Sequence, residues 1–143
     1  MAEPELGELK HLAIDHVAIA VHDLDAGEAP YRLIGLEREG GDEVVSSQQV
    51  RVRTLQTEAG LIELLTPLSG ESPIARFLDR RGPGIHHIAF RVTALEREVE
   101  RLAGAGLRFV DPNPSSGRAG SRVVFLHPKS ADGVLIELVE HGS

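Results

Sequence analysis

Four residues hold the chemistry this chain could do: His16, Glu63, His87 and Glu137. His16 stands third in IDHVAIAV (14–21), and His87 stands third in IHHIAFRV (85–92), 71 residues later. Glu63 lies in LIELL (61–65) and Glu137 in LIELV (135–139), 47 and 50 residues after their histidines. Imidazole nitrogens and carboxylate oxygens are suitable ligands for a divalent transition-metal ion. Two of each, with no thiolate, suit an octahedral ion with open positions better than a closed structural zinc site. A single His or Glu in a strand is more often half-exposed or hydrogen-bonded. Repetition lifts these four above that reading, because a carboxylate facing a core is costly unless paired or bound to metal.

His86 adjoins His87, and adjacent strand residues point to opposite faces. The repeat aligns His87 with His16 and His86 with Asp15. It therefore assigns His87 to the site and His86 to packing or a hydrogen bond away from it. His11, His22 and His141 lie near strand ends and read as surface residues. His127 either shapes a turn or lines the pocket. The segment Ser115 to Arg122 is basic and glycine-bearing: a solvated loop, or an anion clamp with Arg118, Arg122 and Lys129 as its cations.

The elements that must position these residues also repeat. Each half reads as a strand, a helix and three further strands, an α+β arrangement. The first helix begins near Asp23, and Pro30 inside it predicts a late start or a kink. The second begins at Thr93 with Glu96 three residues on, a capping box. Its buried stripe is Leu95, Val99, Leu102 and Ala105. Gly35-Leu36 and Gly106-Leu107 end the two helices. Strands are expected at 50–56, 61–65, 122–126 and 135–139. A linking helix is expected at 71–81, ended by Gly82-Pro83-Gly84. The chain thus reads as one domain, 1–143, made of a βαβββ module (11–68), a linking helix and loop (69–83) and a second βαβββ module (84–141). Curved mixed sheets from the two modules would enclose a metal-containing cleft.

Composition narrows the function. The 143 residues are 41% hydrophobic, enough for a core, but only 3% aromatic, and the net charge is −7. Base stacking and phosphate-backbone binding are both disfavoured, so no nucleic-acid partner is expected. With no cysteine there are no disulfides and no thiolate chemistry. No apolar run reaches a membrane span, and the acidic start MAEPELGELK lacks the apolar core of a signal peptide. The expectation is a cytoplasmic protein without a membrane partner.

The paired modules and their His/Glu positions resemble the vicinal oxygen chelate (glyoxalase-like) superfamily over nearly the whole chain. SPIARFL (72–78), GIHHIAF (84–90) and FLHPKSADGVLIEL (125–138) resemble, within it, the methylmalonyl-CoA epimerases. The resemblance implies a glyoxalase fold and metal ligands at His16, Glu63, His87 and Glu137. It implies a divalent ion, cobalt first, then manganese, nickel or zinc. It implies an isomerase that interconverts (R)- and (S)-methylmalonyl-CoA through an enolate. Glu137 is read as one acid/base; the pseudo-two-fold puts Glu63 across the metal as the other, with a metal-bound water or a further group as the alternatives. Val52 stands where some bacterial epimerases place a glutamate as second base. A homodimer and a coenzyme A thioester substrate are also implied, its phosphates lying along Arg118, Arg122 and Lys129. The alternatives are a glyoxalase I-type lyase and a metal-free small-molecule binding or resistance protein on the same fold.

Overall fold

A strand covered on both faces must be apolar or internally paired on both, and IDHVAIAV is such a strand. In the computed structural model, which describes residues 12–142, it forms β1 (Ile14–Ala20). The expectation for His11 lies outside the described residues. After β1 come α1 (Leu24–Ile34), β2 (Glu37–Arg38), β3 (Glu43–Val45), β4 (Val50–Gln56) and β5 (Leu61–Pro67). The linking helix α2 (Pro73–Arg81) leads to β6 (Gly84–Arg91), α3 (Leu95–Gly104), β7 (Ser115–Ser116), β8 (Arg122–Leu126) and β9 (Ile136–Glu140).

The strands make one mixed sheet in the order β2-β4-β5-β1-β6-β9-β8-β7, with β3 pairing on β4. Its centre is the antiparallel pair β1–β6. β5 runs parallel beside β1, and β9 runs parallel beside β6. Four adjacent strands therefore carry Glu63, His16, His87 and Glu137 in that spatial order.

The central seam repeats in its details. Shifting residue numbers by 71 turns the pair Ile14↔Phe90 into Ile85↔Ile19, and His16↔Ala89 into His87↔Ala18; all four pairs are present. Two register shifts go with them, one skipping Asp15 and one skipping His86. Each is a β-bulge, an extra residue that bends the strand and re-aims its neighbours.

Helices pack on one face of the sheet. α1 packs through Leu24 against Leu55 and Leu64. α3 packs through Leu95, Val99 and Leu102 against Val124 and Leu138. Alternation sends the intervening residues to the other face, which holds the four His/Glu residues. There α2 covers one end, with Ile74 and Leu78 against Ala18, Ala20 and Leu65.

Two helix starts differ from the sequence expectation. α1 starts at Leu24 and carries Pro30 inside it, so the start is not late. The Asp23 side chain caps it by accepting from the Ala26 amide at 2.8 Å. α3 starts at Leu95, and its preceding residue Ala94 makes no side-chain cap. The Thr93–Glu96 capping box does not form, because Glu96 turns to Arg122 instead. Glu140 replaces the cap across the sheet, accepting from the Leu95 amide at 3.0 Å.

Candidate metal centre

The bulges explain why two neighbours on each strand act together. Asp15 Oδ2 lies 2.7 Å from His16 Nδ1. In the other half, His86 Nδ1 lies 2.8 Å from His87 Nδ1. Strict alternation would have turned His86 away, which was the sequence expectation. The bulge brings it back to touch the ring it precedes, and it also packs edge-on against Phe77. In each half the bulge residue holds the Nδ1 side of the next histidine, leaving Nε2 to face inward.

The inward atoms converge. His16 Nε2 lies 3.2 Å from His87 Nε2 and 3.0 Å from Glu137 Oε1. His87 Nε2 lies 3.6 Å from the same oxygen. Two cis donors bonded at about 2.1 Å to one ion stand roughly 3.0–3.4 Å apart. Two sides of the triangle have that length and the third exceeds it by 0.2 Å, and its donors are nitrogen and oxygen on neighbouring strands. His16, His87 and Glu137 are all buried, around a cavity of ≈ 20 Å³, room for one water or one ion. This buried cluster fits a divalent metal site.

Glu63 does not join the triangle. Its Oε2 lies on the Nδ1 side of His16, at 3.2 Å, where it groups with Asp15. Arg118 Nε donates to that same oxygen, also at 3.2 Å. The expected four-ligand set is therefore divided by the His16 ring, and Arg118 stands at Glu63. Arg122 is engaged by Glu96 and Glu140. Lys129 is exposed beside the turn that His127 caps, with His127 Nδ1 accepting from the Lys129 amide at 3.1 Å. His127 thus shapes the turn, and Val52 is a buried wall of the cavity.

Two site residues escaped the sequence. His141 Nε2 lies 2.6 Å from Asp15 Oδ1, so it is no free surface histidine. Arg91 donates to the same oxygen through Nη2 at 3.0 Å. The signal for both was Asp15 itself, a carboxylate in an apolar strand that needs partners.

Charge follows these contacts. Burial alone would raise the Asp15 carboxyl, but hydrogen bonds from His16, His141 and Arg91 hold it well below the usual range. Burial would lower His16, yet its bonds to Asp15 and Glu137 push it up to about 10. Burial would raise Glu137, and bonds from His16 and His87 bring it down to about 2. Glu63 is pushed up, mainly by burial and partly by Glu137. His86 is lowered to about 4 by burial and by His87, and is neutral at pH 7.

Residues 15–125 match the glyoxalase/bleomycin resistance protein/dioxygenase superfamily. The chain belongs to that superfamily. Within it, the chain is 41% identical over 128 residues to the ethylmalonyl-CoA/methylmalonyl-CoA epimerase of Cereibacter sphaeroides, covering 87% of this chain and 95% of that protein. It is 34% identical over 128 residues to the uncharacterized protein YqjC of Bacillus subtilis, covering 89% and 91%. Streptomyces coelicolor methylmalonyl-CoA epimerase, solved with 2-nitronate-propionyl-CoA, superposes with a TM-score of 0.85 at 38% identity, covering 93% and 97%. The superfamily fold, two βαβββ units with buried His and Glu on a curled mixed sheet, is the fold of this chain.

Proposed function

We propose that this protein is a metal-dependent isomerase that interconverts the two epimers of methylmalonyl-CoA. The buried triangle of His16, His87 and Glu137 carries the reading, because it offers three donors spaced for one ion at the closed end of a cavity. The relatives that are epimerases give the substrate class. These three residues would hold the ion, with cobalt the first choice and manganese, nickel or zinc the others. When bound, the ion supplies Lewis-acid stabilisation to negative charge developing on an enolate oxygen.

The chain's own residues do the rest. The hydrogen between thioester and carboxylate leaves as a proton to a carboxylate base, and its bonding pair stays in the enolate. Inversion requires a proton returned from the opposite face. Asp15, Glu63 and Glu137 line the cup, and Asp15 is already committed to His16, Arg91 and His141, which leaves Glu63 and Glu137 for proton transfer. Glu63, outside the triangle and steadied by Arg118, serves one face, and Glu137 serves the other.

The test is to incubate one epimer with the protein and each of Co, Mn, Ni and Zn in deuterated water. Deuterium at the acidic carbon and appearance of the other epimer are expected. No exchange with any of the four ions overturns the reading. Glu63→Gln should retain metal binding and lose exchange with at least one epimer. Unchanged exchange from both epimers removes Glu63 from proton transfer.

A further inference from the structure

We propose that Arg76, Arg80 and Arg81, on α2, bind the phosphates of a coenzyme A thioester at the mouth of a channel ending in the His/Glu cup. This rests on the thioester reading above and moves the phosphate contacts away from Arg118 and Arg122. Three neighbouring spaces with shared walls carry it. The small cup shares Gln48, Val50, Leu65 and Val123 with a cavity of ≈ 310 Å³. That cavity is walled mainly by apolar side chains such as Val110, Phe125 and Leu135, with polar points that include Ser47, Asn113 and the carboxylate Asp111. It in turn shares Pro73, His86 and Leu135 with a groove of ≈ 280 Å³ lined by Arg76, Arg80 and Arg81.

The order of chemistry along this path matches the order of groups in the substrate class. A carboxylate and thioester need the charged cup. A pantetheine arm, mostly carbon with two amides, needs an apolar wall with a few hydrogen-bonding groups. A diphosphate and a ribose phosphate need cations that fork, which is what guanidinium offers.

Seven of the other arginines are committed to carboxylates, and Arg51 and Arg108, which make no ion pair among the described residues, do not line the groove. Arg32, Arg38, Arg53, Arg91, Arg101, Arg118 and Arg122 all sit on carboxylates. Among the described residues, Arg76, Arg80 and Arg81 form no ion pair. Arg76 donates to the Glu71 carbonyl and Arg81 lies over the Phe77 ring. Asp79, on the same helix, pairs with none of them. Arg76 and Arg80, both exposed, repel each other at i,i+4 spacing, and Arg81 adds a third exposed guanidinium beside them, in a chain whose net charge is −7. An anion in the groove relieves that repulsion.

Calorimetric titration with coenzyme A and with pantetheine, which lacks the phosphates, tests the assignment at low and high salt. Arg76→Gln, Arg80→Gln and Arg81→Gln, singly and together, are each expected to weaken coenzyme A binding about tenfold per arginine removed. The salt dependence should shrink and pantetheine binding should stay unchanged. Coenzyme A affinity within twofold of wild type in the triple variant overturns the proposal. So do equal losses for coenzyme A and pantetheine, which assign the arginines to shape alone. Arginine-dependent coenzyme A binding without deuterium exchange keeps this site and removes the epimerase reading. Exchange with arginine-independent coenzyme A binding does the reverse.

Discussion

Asp15 shows what a single side chain does for the cup. It is 3% exposed and receives His16, Arg91 and His141 at once. A carboxylate on the far nitrogen of a ligand histidine fixes its tautomer and its ring orientation. Asp15→Asn keeps the volume but offers only one accepting oxygen to three donors. Metal affinity is expected to fall about 10–100-fold, read by competition against a chelator of known affinity. Wild-type affinity in the variant would show that His16 is oriented by packing alone. The repeat made His16, His87 and Glu137 legible, because each recurs at one place in each half. Arg91 and His141 were not legible, since they meet Asp15 across 76 and 126 residues of chain. Nothing periodic links residues so far apart.

At the scale of elements, strands were easier to read than caps. The expected 50–56 and 122–126 are β4 and β8 to the residue, because β-branched residues there fit a pleat covered on both sides. The start of α3 was misread because Arg122 and Glu140, from distant strands, outcompete a local capping box. Loop 117–120 was beyond the sequence for the same reason. The Ala119 amide donates to both oxygens of Glu43, in the other half, at 3.0 and 3.1 Å. That contact holds Ala119 at φ 55, ψ 37, a left-handed conformation that costs an L-residue about 1 kcal/mol. The neighbouring Arg118 is thereby set on Glu63. Ala119→Gly should stabilise the protein by up to about 1 kcal/mol in urea unfolding. A loss of stability would mean the chain is relaxed there.

Across the whole molecule, an ionic cluster around the buried Arg53 and Glu28 fastens α1 to the sheet on the face away from the cup. Arg53 forks onto Asp42 and reaches Asp25 and Glu28, and Arg38 takes both oxygens of Glu28. Hydrogen bonds from Arg53 hold the Asp42 carboxyl down, and those from Arg38 hold Glu28 down. A depressed carboxyl gives stability that is complete above its unfolded value, about 4. That stability is lost as pH falls through the folded value. The cluster's share of stability, read as the difference in urea midpoint between wild type and an Arg53 variant, should therefore be constant near neutral pH and shrink below about pH 4. Arg53→Met removes the hydrogen bonds of the exposed Asp42 and Asp25 while Glu28 keeps Arg38, so it should cost about 1–3 kcal/mol at neutral pH and soften the acid dependence. Parallel acid profiles in the two proteins would remove the cluster as its source.

The seam that maps onto itself says something about descent. When two such halves are separate identical chains, every substitution beside the metal strikes both sides of the pocket together, and the pocket stays symmetric. Joined in one chain, the halves can drift apart. The two bulge positions record that drift: one now holds an anion and the other a neutral imidazole. A reaction that must treat the two faces of one carbon differently needs such a left and right, and a single gene carrying both halves can encode them.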